Sequence, residues 1–203
     1  LMCPDIMSTG FAGAENGGIR IGDTVAVFAQ GPIGLCATAG AKLMGATRII
    51  AVDSVPARME MARRLGADEV VNFREVDPAT AIRELTDGRG VDVSIEALGT
   101  QPTFEAALRV LRPGGTLSSL GVYSADLKIP LDAFAAGLGD TSIKTALCPG
   151  GKERMRRMMA VISSGRVDLK PLVTHHFKLD QIEEAYDLFS HQRDGVLKIA
   201  ITT

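Results

Sequence analysis

Through the first two-thirds of the chain, short apolar runs alternate with stretches in which apolar residues recur every three or four positions. The runs are TVAVFA at 24–29, RIIAVD at 48–53, EVVNF at 69–73, VDVSIEA at 91–97 and GTLSSLG at 115–121. They are almost continuously hydrophobic, without in-and-out alternation, as strands covered on both faces must be. The intervening stretches, 33–44, 57–65, 79–86 and 103–111, carry helical spacing. Pro56, Pro78 and Pro102 stand at or just before a first turn, where a missing N–H costs nothing. Gly45, Gly66, Gly88 and Gly114 stand where C-terminal caps are expected. At least four strand–helix alternations predict right-handed crossovers and an α/β doubly wound parallel sheet, the Rossmann arrangement. The rest differs in rhythm: a Met- and Arg-rich helix at 153–163, a strand VTHHF at 173–177, a helix at 179–190 and a strand VLKIAIT at 196–202. Those last two strands are candidates for another sheet, and residues 1–8 have no strand of their own to lead into.

Composition narrows the partners. With 46% hydrophobic and 23% charged residues, intrinsic disorder is excluded. A net charge of -2, with 22 Lys and Arg scattered along the chain, leaves no footprint for nucleic acid or an anionic membrane surface. No run reaches the roughly 18 apolar residues of a membrane span, and the first residues do not read as a signal peptide. Three cysteines, Cys3, Cys36 and Cys148, lack C-x-x-C spacing, which argues against a disulfide framework or a zinc knuckle and fits a reducing cytoplasm. The 22 glycines, 4% aromatics and absence of Trp suit a core of small aliphatic residues. The opening Leu1 suggests a fragment.

Candidate chemistry begins after the first strand, at AQGPIG, residues 29–34. A dinucleotide loop needs glycine where the backbone approaches a pyrophosphate and where helix packs on strand, and Gly31 and Gly34 occupy those places. Ala29 replaces the first glycine of G-x-G-x-x-G, a small cost provided that the turn keeps a negative φ there. Pro32 opens the helix, and the N–H groups of Ile33 and Gly34 would receive the anion. Asp53 ends the second strand about 20 residues later, where a carboxylate can accept both hydroxyls of an adenosine ribose and repel a 2′-phosphate. That predicts NAD over NADP, although Arg58 could bind the ribose edge or tolerate the phosphate. The plainer reading of Asp53 is a cap for the helix at Pro56. Short-chain dehydrogenases are excluded because neither Tyr123 nor Tyr186 has Lys four positions on, and no G-K-[ST] P-loop occurs. A methyltransferase, which also uses a glycine loop and a strand-2 acid, fits the first half of the chain and fits the tail less well.

Taken together, PDIMSTGFAGAE at 4–15, GDTVAVFAQGPIGL at 22–35, LGAD at 65–68, GRGVDVSIEALG at 88–99, LRPGGTL at 111–117, LCPGG at 147–151 and VTHHF followed by IEEAYDLF resemble the C-terminal part of the zinc-dependent medium-chain alcohol dehydrogenases, in the secondary-alcohol subgroup. The resemblance covers essentially the whole chain. It implies an oxidoreductase that moves hydride between a small alcohol or ketone and nicotinamide, with zinc as Lewis acid. It makes Asp5 a zinc ligand, a role that an oxygen ligand can fill; without the resemblance Asp5 reads as a helix N-terminal acid. It places Thr9 against the nicotinamide, Ala97, Leu98, Leu120, Gly121 and Val122 around the cofactor, Lys198 at the pyrophosphate, and Leu147 and Cys148 beside the substrate. It divides the chain into 1–8, a remnant of a catalytic domain; 9–147, the dinucleotide-binding domain; and 148–203, a segment returning to the catalytic domain. It also implies a homodimer or homotetramer, pairing near 142–146.

The family's other zinc ligands precede this segment, so zinc is expected in a full-length parent and not in this chain, which alone binds cofactor without turnover. Cys148 as a nucleophile has no base nearby in sequence. His175 and His176, adjacent on a strand, point to opposite faces and read as structural or surface residues. The methionines of 155–159 read as packing, and Arg154, Arg156 and Arg157 as a solvated face. Segments 2–7, 173–177 and 196–201 are expected to expose edges and bare apolar faces. The competing readings are a stand-alone nucleotide-binding regulatory module and, more weakly, a zinc-free quinone-reductase relative.

Overall fold

The computed structural model describes residues 1–203. Six parallel strands form one sheet: β1 (Thr24–Phe28), β2 (Arg48–Asp53), β3 (Glu69–Asn72), β4 (Val91–Glu96), β5 (Leu111–Ser119) and β6 (Ser142–Thr145). Their order, β3-β2-β1-β4-β5-β6, is the doubly wound one, with its topological switch between β1 and β4. The crossovers are helices α2 (Pro32–Met44), α3 (Pro56–Leu65), α4 (Pro78–Leu85) and α5 (Gln101–Arg109). Successive strand residues enter different cores. Val25, Val27, Ile49 and Ala51 join a cluster of 26 buried residues on one face. Ala26, Phe28, Ile50 and Val52 join a cluster of 13 on the other, which is why the strands read as unbroken apolar runs.

One helix has no apolar period to predict it, only the N-terminal acid Asp5, which stands at its N-cap. α1 (Ile6–Gly17) is buried at ten of its 12 positions, so no polar face gives it an amphipathic period. Small residues let it lie close against α2. Met2, Cys3, Ile6 and Met7 are buried in the larger core, so the N-terminal segment is packed and does not offer the bare edge expected of it. The boundary between residues 8 and 9 falls inside this helix. α6 (Lys152–Ser163) packs on α1 through Met158. Arg154 is not part of a solvated face: its guanidinium donates to the Ser8 hydroxyl at 2.9 Å, the Ser8 carbonyl at 2.7 Å and the Glu15 carboxylate at 2.7 and 2.8 Å. Arg156 and Arg157 do face solvent, paired with Glu153.

A separate two-stranded parallel sheet, β7 (Val173–Lys178) with β8 (Lys198–Thr202), flanks α7 (Ile182–Ser190). His175 and His176 alternate between half-buried and exposed, and His175 meets Thr174 and Asp194. Gly45 and Gly66 cap α2 and α3 in the left-handed conformation as expected. Gly88 stands beyond the Thr86 cap of α4. Gly114 caps no helix: α5 ends at Val110, and β5 bulges over 112–115 to take that glycine in at positive φ. All three cysteines are free thiols, and no helix is long and apolar enough to cross a membrane.

Asp92 ties the starts of three strands together. It accepts from Arg89 at 2.6 Å, Arg112 at 2.6 Å and the Thr24 N–H at 2.9 Å. Burial pushes its carboxyl up, but the two guanidiniums and the amide outweigh burial and hold it far below the usual carboxylate range. A depressed folded-state pKa contributes stability that is present above the unfolded value, about 4, and is lost as pH falls below it. Asp92→Asn should therefore cost about 1–2 kcal/mol at pH 7, both arginines being partly solvated. In urea unfolding the gap from the unaltered chain should narrow as pH drops from 4 toward 2; a constant gap would refute this assignment.

Candidate functional site

The carboxyl ends of β1, β2 and β4 open into a cleft of about 540 Å³, whose lining includes Ala29, Asp53, Arg58, Phe73, Leu98 and Thr103. This is where a doubly wound sheet takes a ligand, and the size suits a small-molecule site. The β1–α2 turn reaches it at Ala29. Gly34 is obligatory there, because a Cβ would overlap the Ala29 carbonyl oxygen. A Cβ on Gly31 would meet nothing within 4 Å, so bare backbone faces open space in which an anion could sit. The helix's first bond runs from the Leu35 N–H to the Gly31 carbonyl at 2.9 Å, and the Ile33 and Gly34 N–H groups lie ahead of it, at the positive end of the dipole.

Asp53 braces this turn. One oxygen accepts from the Gln30 N–H at 2.7 Å, and the other from Ser54 and Val55 N–H at 2.7 and 2.9 Å. Three of about four acceptor positions on the carboxylate are thus taken, and one remains where two were expected for a ribose. Arg58 lies 4.0 Å from the carboxylate, and its buried Nε has no partner. A buried donor without an acceptor is costly, and the residue that carries it lines the cleft.

Not every expected residue gathers here. Leu98 reaches the cleft, whereas the Leu120 side chain turns into the larger core against α1. Val122 is exposed, and Gly121 packs on Gly99 so tightly that a Cβ would overlap it. Ala97 follows Glu96, its N–H bonded to the Phe28 carbonyl at 3.1 Å. Lys198 instead lines a separate apolar groove of about 210 Å³ with α7. Thr9 is buried and donates to Asp5 at 3.2 Å. Cys148 comes to within 3.5 Å of the Pro4 carbonyl and 3.9 Å of the Asp5 carbonyl, so candidate metal and substrate residues meet although far apart in sequence. Leu147 is exposed beside them. No group of three or more His, Cys, Asp or Glu side chains able to hold a metal gathers in the chain.

Sequence reasoning passed over Glu96, a fully buried carboxylate at the end of β4. It accepts from Leu98 N–H at 2.9 Å, Gly99 N–H at 2.8 Å, Thr103 hydroxyl at 2.7 Å, Tyr123 hydroxyl at 2.7 Å and Ser119 hydroxyl at 3.4 Å. Burial, followed by the Glu96 contact and charge, pushes the Tyr123 phenol above its ordinary value despite the opposing Ser119 bond, so it stays protonated and donates. An acid near the end of the apolar run VDVSIEA, four residues after Asp92, was the available signal. Phe73, Arg74 and Gln192 also line the cleft. A groove of about 640 Å³ elsewhere, between α4, α5 and the 131–141 region, is lined by Arg83, Arg109 and Arg112. These guanidiniums are engaged with backbone carbonyls and with Glu105, Asp132 and Asp92.

Comparison with known proteins gives one consistent result. The zinc-binding dehydrogenase family matches residues 32–164. An alcohol dehydrogenase of Cupriavidus necator is 74% identical over 201 residues, covering 99% of this chain and 55% of its own length. An NADP-dependent isopropanol dehydrogenase of Thermoanaerobacter brockii is 41% identical, covering 98% and 57%. The solved alcohol dehydrogenase TADH from Thermus sp. ATN1 superposes with a TM-score of 0.89 at 32% identity, over 100% of this chain and 57% of that one. The chain therefore spans about half the length of the curated relatives it matches.

The φ of Ala29 is +68°, contrary to the negative value expected for a tolerated alanine, and a non-glycine residue there is strained by about 1–2 kcal/mol. Ala29→Gly should remove that strain, offset in part by glycine's greater unfolded entropy. We expect a net gain of up to about 1 kcal/mol, a few degrees in Tm by scanning calorimetry; a lowered Tm would contradict the strain.

Proposed function

Because this chain belongs to the zinc-binding dehydrogenase family, we propose that it is the NAD(H)-binding portion of an alcohol dehydrogenase that moves hydride between a secondary alcohol and its ketone. The observation that carries the reading is the cleft at the strand ends, where Asp53 and Arg58 line the wall and Ala29 brings in the turn that leads to the bare Gly31 backbone. Pyrophosphate would rest on the Ile33 and Gly34 N–H groups. Asp53 would accept one ribose hydroxyl while Arg58 Nε donates to the ribose edge. Phe73 and Arg74 would flank the base, and Ala97, Leu98, Gly121 and Val122 would wall the far end, with Thr9 beneath it. Of the remaining expectations, Lys198 at the pyrophosphate has the least support, given the separate groove it lines.

When bound, nicotinamide supplies a hydride acceptor. The chain's own part is to hold and orient it and to keep water from one side. Zinc binding would need ligands beyond Asp5, so a chain limited to these residues is expected to bind cofactor without turning over alcohol. The isopropanol dehydrogenase relative supports a secondary-alcohol substrate in a whole protein. The division into 1–8, 9–147 and 148–203 stands as part of the proposal, as does pairing of two copies through β6, the edge strand at Ser142–Thr145.

Asp53 is negative and buried beside the expected 2′ position, so NAD is preferred even though the relative from T. brockii is named NADP-dependent. Calorimetric titration should give tighter binding of NADH than of NADPH. Asp53→Asn, which keeps the shape and removes the charge, should narrow that preference by about tenfold, the equivalent of ~1.4 kcal/mol. Binding of S-adenosylmethionine without binding of NADH would overturn the reading.

A further inference from the structure

Glu96 has a chemistry that the nucleotide reading leaves unused. It is completely buried, pairs with no cation, and accepts from four close donors, with the Ser119 hydroxyl standing off at 3.4 Å. A buried carboxylate without a counter-charge is expensive unless hydrogen bonds stabilise it, and neutral residues can pin a strand end at lower cost. The donors reveal what the charge holds. Leu98 and Gly99 belong to the loop after β4, Thr103 to the first turn of α5, Ser119 to the end of β5, and Tyr123 to the loop after β5. Oε1 takes the β4 and α5 groups, and Oε2 takes Tyr123 and Ser119. The Tyr123 hydroxyl also lies 2.7 Å from that of Ser119, and its ring packs edge-on against Phe104 at 5.9 Å. Gly121 leaves room for no side chain between Glu96 and Gly99.

We propose that Glu96, through Tyr123, is a positioning residue: it sets the loop after β5 against the loop after β4 and so shapes the half of the crevice that takes the second mononucleotide. This assignment rests on the nucleotide reading. A dinucleotide lies across the switch point with one mononucleotide over each half of the sheet. Asp53, Arg58 and Phe73 mark the β2–β3 side as the adenosine half, which leaves the β4–β5 side to nicotinamide. The Oε2 contacts lie wholly on that second side.

The test compares two ligands on the 203-residue chain: NADH, which fills both halves, and ADP-ribose, which lacks nicotinamide. Glu96→Gln keeps an oxygen for Leu98, Gly99 and Thr103 but turns an acceptor into a donor toward Tyr123. Tyr123→Phe removes only the hydroxyl and guards against a folding failure in the first variant. Glu96→Gln should weaken NADH about tenfold and Tyr123→Phe about threefold, with ADP-ribose changed less than about twofold in either. The double variant should be no worse than Glu96→Gln alone, because both act through one contact. Equal weakening of both ligands, or unchanged NADH affinity, overturns the assignment while leaving the nucleotide reading intact. Failure of ADP-ribose to bind the unaltered chain overturns that reading and this assignment with it.

Discussion

Helix α2 can meet strand β1 only through a residue with no side chain, because the Ala29 carbonyl occupies the space where a Cβ on Gly34 would lie. That contact fixes how close the helix comes to the sheet, and the rest of the strand-end architecture follows from it. The turn must carry Ala29 through a left-handed conformation, and it leaves the Gln30 N–H pointing at β2, where Asp53 receives it at 2.7 Å. Asp53 in turn collects the N–H groups leading into α3. One carboxylate so couples two crossovers and lies at the rim of the cleft they form. A negative charge is affordable there because amides and the nearby Arg58 surround it.

A second carboxylate does the same on the other side of the switch point. Glu96 couples the exits of β4 and β5, without a cation, through hydroxyls and amides. The crevice is thereby framed by two buried acids, each satisfied by loop donors. At the opposite end of the sheet Asp92 ties the starts of β1, β4 and β5 with two arginines. The difference is chemical: arginines neutralise the end away from the cleft, whereas the cleft end is left with hydrogen-bond donors and the partly engaged Arg58.

Much of this was legible in the chain. The five strands 24–29 through 115–121 emerged from apolar runs because both faces of the sheet are covered, and proline and glycine marked most helix ends because their backbone preferences are local. The family resemblance followed from ordered strings across the whole chain. What escaped was non-local. α1 is apolar on nearly every side, so no period betrays it. Arg154 reads as a surface cation until α6 is laid on α1 and brings Ser8 and Glu15 beneath it. Asp53 was found, but its three backbone donors come from two loops, and no spacing rule counts them. Glu96 was hidden in a strand whose hydrophobicity masked it, its partners reaching 27 residues ahead.

The central claim is that a dinucleotide lies across the β1–α2 turn at the switch point. Amide hydrogen exchange of the chain with and without saturating NADH tests it at residue resolution. The account predicts added protection at Gln30, Ile33 and Gly34 and at Leu98 and Gly99, with none around the Arg83 and Arg109 groove. Protection confined to that groove, or a turn from Ala29 to Gly34 that NADH leaves unprotected, would contradict it.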